Sequence, residues 1–388
     1  MGCLSPTAVF RGRPPLMAAA QSEFPCSRCG AKLLFAPGTL HLKCPYCLTE
    51  NEIPPGASLP GAGSETGTDD PPHTLPAIEE LDFHAQIAGL TTAAPTVDRL
   101  EVTCKSCNAH IQMPDNVSSM KCPYCSTPIV ATGTSVKVLK PRSLLPFGID
   151  EKKARDVLRG WLAGRWFAPS NLKAAARVDA GVKGVYVPYW TYDCQTTTVY
   201  RGKRGDHYYV TVGSGKNRTQ QQRTRWRPAS GTVPNTFDDV LVPGSASIGA
   251  ERLHELEPWD LNSLLPYQDH YLSGFTSETY SVTLDAGFGL AQARMQPVID
   301  GTVRSDIGGD VQHIDEQRSN YADITFKHIL LPVWLLAYRY HNQAFQITVN
   351  ARTGEVHGER PYSAWKISLA VIGGLIALGV VLYLLNSK

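Results

Sequence analysis

Lys43-Cys44-Pro45-Tyr46-Cys47 recurs 78 residues later as Lys121-Cys122-Pro123-Tyr124-Cys125, and this recurrence decides how the first third of the chain is read. Fourteen residues before each copy stands another Cys-x2-Cys pair, Cys26 with Cys29 and Cys104 with Cys107. Ala31 and Thr49 match Ala109 and Thr127 at the same offset, so the segment is an internal duplication. A Cys-x2-Cys turn aims two sulfurs at one point, and two such turns on short strands complete a tetrahedral all-sulfur shell. Zinc accepts that shell without a redox cost. Cys26, Cys29, Cys44 and Cys47 are therefore the expected ligands of one zinc ion, and Cys104, Cys107, Cys122 and Cys125 of a second. Iron in a rubredoxin-like site is the competing metal. Four thiolates leave no open position for water or substrate, which makes both sites structural. Neither ribbon is large enough to own a core, so metal binding is expected to supply its folding free energy, on the order of 10 kcal/mol. His41 and His110 sit at different offsets in the two loops and read as surface residues.

Outward from the cysteines, the ribbons are expected at 24–51 and 99–132. Residues 1–23 read as a disordered N-terminus: Arg11 and Arg13 stand among prolines, no apolar signal core follows, and Met17 is an alternative start. Cys3 lacks a lipobox, and Pro6 breaks the myristoylation pattern. Between the ribbons, 52–98 is a linker. Its stretch from Pro54 to Pro76 holds six prolines and four glycines in 23 residues, with no lysine or arginine. After it, Leu81, Phe83, Ile87 and Leu90 mark a short amphipathic segment that should pack on its own protein.

At the other end, Ile367 to Leu385 is a 19-residue run without a charge. At about 1.5 Å per residue it spans roughly 28 Å, the thickness of a bilayer core. Tyr362, Trp365 and Tyr383 stand as interfacial anchors, and Lys366 and Lys388 bracket the run. The expectation is one C-terminal span at a bacterial inner membrane, with the N-terminal bulk in the cytoplasm, where thiolates stay reduced. Ala370 with Gly374, and Gly373 with Ala377, offer small-xxx-small pairs through which two spans could form a homodimer.

The middle of the chain repeats too. Ser143-Leu144-Leu145-Pro146-Phe147 returns as Ser263-Leu264-Leu265-Pro266-Tyr267, and Val187-Pro188-Tyr189-Trp190 as Leu331-Pro332-Val333-Trp334. A helix is expected after each first string: one with Ala154, Val157, Leu158, Trp161 and Leu162 on one face, the other over Tyr280 to Met295 with Pro297 near its end. After each second string strands follow, with turns at Lys203-Arg204-Gly205, at His341-Asn342 and at Thr353-Gly354. The fold class is α+β: two ribbons, a duplicated body with antiparallel hairpins at 140–250 and 255–362, and the span at 367–385. Trp190, Trp334 and Cys194 are assigned to the core.

The 388 residues carry 37 basic and 35 acidic side chains, which excludes a protein made basic throughout to coat nucleic acid. Locally, Arg201, Lys203, Arg204, Lys216, Arg218, Arg223, Arg225 and Arg227 face only Asp206, with Tyr208, Tyr209 and Trp226 interleaved. Such a strip offers cations and stacking rings to nucleic acid, or cations to anionic lipid. Enzymatic motifs fail on spacing. Gly213-Ser214-Gly215-Lys216 is followed by Asn217, and the first glycine of a phosphate loop would fall on Val210. Gln292 replaces the third glycine of a dinucleotide fingerprint. Gly308-Gly309-Asp310 reads first as a turn.

Several strings carry a family resemblance: Tyr186 through Trp190, Thr224-Arg225-Trp226, Tyr271-Leu272-Ser273-Gly274-Phe275, Asp306 through Asp310, and Val349-Asn350 through Pro361. Over residues 24–388 the chain resembles a family of bacterial tail-anchored double zinc-ribbon membrane proteins of unknown function. Its members are often labelled primosomal protein N′ or superfamily II helicase, although this chain lacks the nucleotide-binding loop of a helicase motor. The resemblance implies zinc on the eight cysteines, one C-terminal span and, in some relatives, an association with membrane stress or remodelling. It supplies no catalytic residue. The expectation is thus a non-enzymatic scaffold or adaptor that presents cytoplasmic ribbons to protein partners. The alternative is a membrane-tethered DNA- or RNA-binding protein using the ribbons and the 201–227 strip.

Overall fold

The structure, a computed structural model, describes residues 24–53, 78–89, 96–112, 119–130, 134–165, 181–213, 218–340, 343–359 and 363–386. The expected disordered residues 1–23 and the proline-rich part of the linker, 54–77, lie outside the described residues.

Helix and strand are mixed, and strand dominates. The first cysteine module is a sheet of β1 (Leu34–Phe35), β2 (His41–Lys43) and β3 (Glu50–Glu52). β4 (Leu81–Asp82) and helix α1 (Phe83–Ile87) follow. The second module holds β5 (Thr96–Thr103), β6 (His110–Gln112), β7 (Ser119–Lys121), β8 (Pro128–Val130) and β9 (Thr134–Leu139), in the sheets β6-β5-β9 and β7-β8. It therefore extends beyond 99–132 on both sides, because β9 pairs along the length of β5.

The body contains β10 (Ser143–Leu144), α2 (Glu151–Ala163), β11 (Val182–Val212), β12 (Thr219–Pro243) and α3 (Ala250–Glu255). It continues through β13 (Leu265–Pro266), β14 (Thr276–Ser277), α4 (Leu284–Ile307), β15 (Val311–Tyr340), β16 (Gln343–Asn350) and β17 (Val356–Gly358), before α5 (Ala364–Asn386). One nine-stranded sheet runs β12-β11-β15-β10-β13, with β14 added to β11, β4 and β16 to β15, and β17 to β16.

This sheet joins the two expected α+β units, 140–250 and 255–362, through shared pairing. The repeated strings meet each other: Ser143 pairs with Pro266 and Leu144 with Leu265, while Tyr186 pairs with Pro332 and Pro188 with Leu330. Pro188 and Pro332 thus take equivalent places about a local two-fold axis, and the two halves complete one sheet.

Ile329 to Tyr338 is an almost unbroken apolar run, the pattern of a strand covered on both faces. Leu330, Trp334, Leu336 and Tyr338 pack with Leu33, Phe35 and Leu42 of the first module and with Ala154, Leu158 and Leu162 of α2. Ile329, Leu331, Val333 and Leu335 pack instead with Ile111 and Tyr124 of the second module and with Leu253 of α3. Alternate residues of a strand point to opposite faces, so the two modules clasp the sheet from opposite sides.

Helix α4 differs from the expected 280–295 at both ends. Residues 280–283 stay outside the helix: the Val282 carbonyl accepts from Trp190 Nε1 at 2.9 Å and Thr283 caps the first turn. Pro297 lies inside α4. A helix tolerates that lost hydrogen bond when packing outweighs it, and here Leu284, Phe288, Ala291, Met295, Ile299, Val303 and Ile307 form one stripe on Trp190, Tyr192, Cys194 and Tyr200. Trp190, Trp334 and Cys194 are all buried. Leu81 and Phe83 are buried too, with β4 paired to Thr325 and Phe326, so this part of the amphipathic segment packs on its own chain; Ile87 is exposed, and Leu90 lies outside the described residues.

The expected turn at Lys203-Arg204-Gly205 does not exist, since β11 runs straight through it. Gly202 and Gly205 mark close approach: a Cβ on Gly202 would sit 2.3 Å from the His313 carbonyl oxygen, and one on Gly205 2.5 Å from Val311 Cγ2. β15 pairs with β16 up to Tyr340 opposite Gln343, and the expected turn residues His341 and Asn342 lie outside the described residues.

Candidate metal centres

Each knuckle is built by the same backbone bonds. Gly30, Leu48, Asn108 and Ser126 donate their N–H to the carbonyls of Cys26, Cys44, Cys104 and Cys122, at 2.8–3.1 Å. Those four cysteines in turn donate to Ala31, Thr49, Ala109 and Thr127. The residue after every second cysteine adopts a left-handed conformation, with φ 71°, 60°, 55° and 58° at Gly30, Leu48, Asn108 and Ser126. The fourfold repetition places the sulfurs. Cys26 and Cys47 lie 3.5 Å apart, as do Cys29 and Cys44; Cys104–Cys125 and Cys107–Cys122 are 3.6 Å apart. Within each group of four, every sulfur lies within 4.8 Å of the others, and the groups could each hold a metal ion.

The donor set fits such an ion. A tetrahedral shell with bonds of about 2.3 Å separates its sulfurs by roughly 3.8 Å, far beyond the ~2.05 Å of a disulfide. Amide N–H groups approach the sulfurs as well, from Arg28 to Cys26 at 3.4 Å and from Cys47 to Cys44 at 3.5 Å. Thr49 Oγ1 lies 3.2 Å from Cys47 Sγ, and its hydroxyl, followed by its amide, brings that thiol down to about 6. At Cys125 burial acts upward, but the Thr127 hydroxyl at 3.1 Å and the Thr127 amide outweigh it and again bring the thiol to about 6. The Arg28 amide also lowers Cys26, so each module holds at least one thiol ready to ionise, the state a metal captures.

The modules meet the body differently. The first docks through its strands: Phe35 N–H donates to the Ser273 carbonyl, Ser273 Oγ donates to the Leu33 carbonyl at 2.6 Å, and Phe24 stacks on His270. Its knuckle tips, with Ser27, Arg28, Cys29, Pro45 and Tyr46, remain exposed, although Cys26 and Cys44 are buried. The second docks through its knuckle. Tyr124 is fully buried and donates its hydroxyl to Glu278 at 2.6 Å, while Gln346 Nε2 donates to the Tyr124 carbonyl at 2.9 Å. Glu278 also receives the hydroxyls of Ser245, at 2.8 Å, and Ser247. Burial pushes its carboxyl up to about 7 against the pull of these three donors. Sequence reasoning missed this contact, because nothing in Ser277-Glu278-Thr279 distinguishes a buried acid from an exposed one.

A third group, Asp193, Asp238 and Asp239, also has convergent oxygens. It already holds a cation of the chain itself: Lys327 Nζ lies 2.8 Å from Asp239, 3.0 Å from Glu80 and 3.9 Å from Asp193. Burial opposes the Lys327 charge, yet Asp239 and Glu80 raise it to about 12.

Of the basic strip, Arg201, Lys203, Arg204, Arg218, Arg223, Arg225 and Arg227 are exposed on β11, β12 and their junction, and Lys216 lies outside the described residues. Past the Gly205–Val311 pair the third strand ends, so β11 and β12 project as a two-stranded arm. Cross-strand pairing places Arg204 opposite Arg227, Asp206 opposite Arg225 and Tyr208 opposite Arg223, all on one face. Asp206 lies 2.9 Å from Arg204 and 3.7 Å from Arg227, and the Arg225 guanidinium stands 5.2 Å from the Tyr208 ring centre. Four arginines and one aspartate leave that face with a charge of +3.

Helix α5 contains an apolar stretch from Trp365 to Leu385 that is long enough to cross a membrane and is exposed throughout. The sheet ends nearby, with Gly358 paired to Ile347 and Ile347 to Leu336. From Leu336 to the foot of the arm at Val311 the strand runs roughly 80 Å at about 3.3 Å per residue.

No family model matches the chain, and no solved structure gives a significant match. A curated protein is similar, the uncharacterised protein YdjG of Bacillus subtilis strain 168, at 24% identity over 239 residues. The match covers 59% of this chain and 66% of YdjG, so the chain spans just under two thirds of that relative's length.

Proposed function

We propose that the chain is a non-enzymatic scaffold, anchored by its C-terminal helix in a bacterial inner membrane, which holds two zinc ribbons on its cytoplasmic body and presents them to protein partners. The observation that carries this reading is the convergence of four cysteine sulfurs on each face of the sheet. All-sulfur shells suit zinc and are closed to water and substrate, so they supply rigidity rather than turnover. Both cysteine modules pack on the body. α5 supports the anchor by its length and exposure.

A second reading rests on the arm. Its aligned arginines and the exposed rings of Tyr209 and Trp226 suit a nucleic-acid strand, with phosphates neutralised and bases stacked. One experiment separates the two. Full-length protein is purified from membranes in detergent, with and without nuclease, as wild type, as R223Q/R225Q/R227Q and as C26S/C29S. The scaffold reading expects a protein partner that survives nuclease and the arginine changes and is lost with C26S/C29S. Nucleic acid that co-purifies and disappears with the arginine changes, with a binding slope against salt reduced by about 2–3, would replace the first reading by the second.

A further inference from the structure

The two copies of Lys-Cys-Pro-Tyr-Cys share their residues and knuckle bonds but not their surroundings. In the second copy Pro123, Tyr124 and Cys125 are buried, with the tyrosine hydroxyl on Glu278. In the first, Pro45 is exposed, Tyr46 is 80% exposed and Leu48 is 67% exposed. The chain thus shows what this knuckle does when it is covered: its tyrosine reaches a carboxylate on an extended segment, just after β14, while the backbone beside it is held by a polar side chain.

Leu48 adds an independent sign. It holds φ 60° in the position filled by Gly30, Asn108 and Ser126 in the other three knuckles. A bulky side chain is disfavoured there, where glycine and asparagine are tolerated. Being exposed, Leu48 packs little against its own fold in return. A strained residue that serves no packing marks a position with another use.

We infer that the Tyr46–Leu48 knuckle is a docking site for a partner protein, in which Tyr46 donates to a carboxylate on an extended acidic segment and Leu48 enters an apolar notch beside it. The inference rests on the scaffold reading and names the surface and the recognition chemistry it leaves open. A second copy of the chain is a poor occupant through the same pairing, because its own Glu278 is already covered by Tyr124.

The test places a photocrosslinker beside the knuckle in the full-length membrane protein, as Lys43→p-benzoylphenylalanine, with Lys105→p-benzoylphenylalanine as a control at an exposed position of the second module. Cells are irradiated and the crosslinked peptides are mapped by mass spectrometry. The expected result is a protein adduct at position 43, absent from the control, whose peptide contains aspartate or glutamate. Its yield should fall about tenfold with Tyr46→Phe, the scale of a hydrogen bond to a charged group, and comparably with Leu48→Gly. Leu48→Gly relieves the backbone, so both variants should keep their metal. Adducts to lipid only, to a second copy, to peptides without an acid, or no adduct at all would overturn the inference, as would yields indifferent to both changes. A protein partner that still co-purifies under those outcomes leaves the scaffold reading standing without this site; loss of any partner removes both.

Discussion

Replacing Cys122 and Cys125 by serine is expected to collapse the sheet end that the second module clasps, while the same change at Cys26 and Cys29 should leave the body folded. The asymmetry follows from how each module docks. Cys122, Tyr124 and Cys125 are buried among Leu253, Ile329, Leu331 and Val333, so losing this centre opens one face of β15 to water. A structural all-sulfur site is worth on the order of 10 kcal/mol. That is comparable to the whole stability of an ordinary domain, about 5–15 kcal/mol. The first module touches the body through Leu33, Phe35 and Leu42; Cys26 and Cys44 are buried beneath them, but the knuckle tips with Cys29, Pro45 and Tyr46 stay exposed. Its loss uncovers part of the opposite face but leaves α2 packed on Leu330 and Trp334. Near-ultraviolet circular dichroism of the full chain in detergent reads the difference, because Trp190, Trp259 and Trp334 are all buried in the body. An unchanged spectrum in C122S/C125S would mean that the second module is an ornament on the sheet and not a clasp.

The second large effect is a pH dependence centred on Glu278. Its carboxyl, pushed by burial from the ordinary 4.5 up to about 7, keeps its proton in the native chain over a range where the unfolded chain has released it. The folded state therefore binds more protons, and stability falls as the pH rises from about 4.5 to about 7. Between about pH 5.5 and pH 7 the expected loss is roughly 2 kcal/mol. E278Q keeps the shape and hydrogen-bonding capacity of the side chain and removes its titration. Denaturant midpoints of the two proteins should thus diverge with rising pH, the variant gaining on the wild type. Parallel curves would show that Glu278 is ionised throughout and that the three hydroxyls outweigh burial.

The cysteine groups and the apolar tail were legible in sequence because both depend on local spacing. Cys-x2-Cys fixes a turn within five residues, and a bilayer-length apolar run declares itself without any partner. The body was legible only in part. The repeated strings marked segments that meet, yet whether two copies build two sheets or one depends on pairing across more than a hundred residues, as between Ser143 and Pro266. Glycines misled at 203–205, since Gly202 and Gly205 serve crowding against β15 rather than a turn. Pro297 misled in the opposite sense, because the helix stop it signals yields to seven buried side chains of α4. The docking of the second module through Tyr124 left no trace in a pentapeptide identical to the exposed copy. Only Leu48, the one large apolar residue among the four residues that close the knuckles, was a readable irregularity.

The most direct test of the account is the metal content of the full-length chain purified in detergent under reducing conditions, measured by elemental mass spectrometry. Two closed all-sulfur centres predict about two zinc ions per chain, falling to about one in C26S/C29S. A colored protein carrying iron, or a colorless one whose cysteines are oxidised and metal-free, would contradict it.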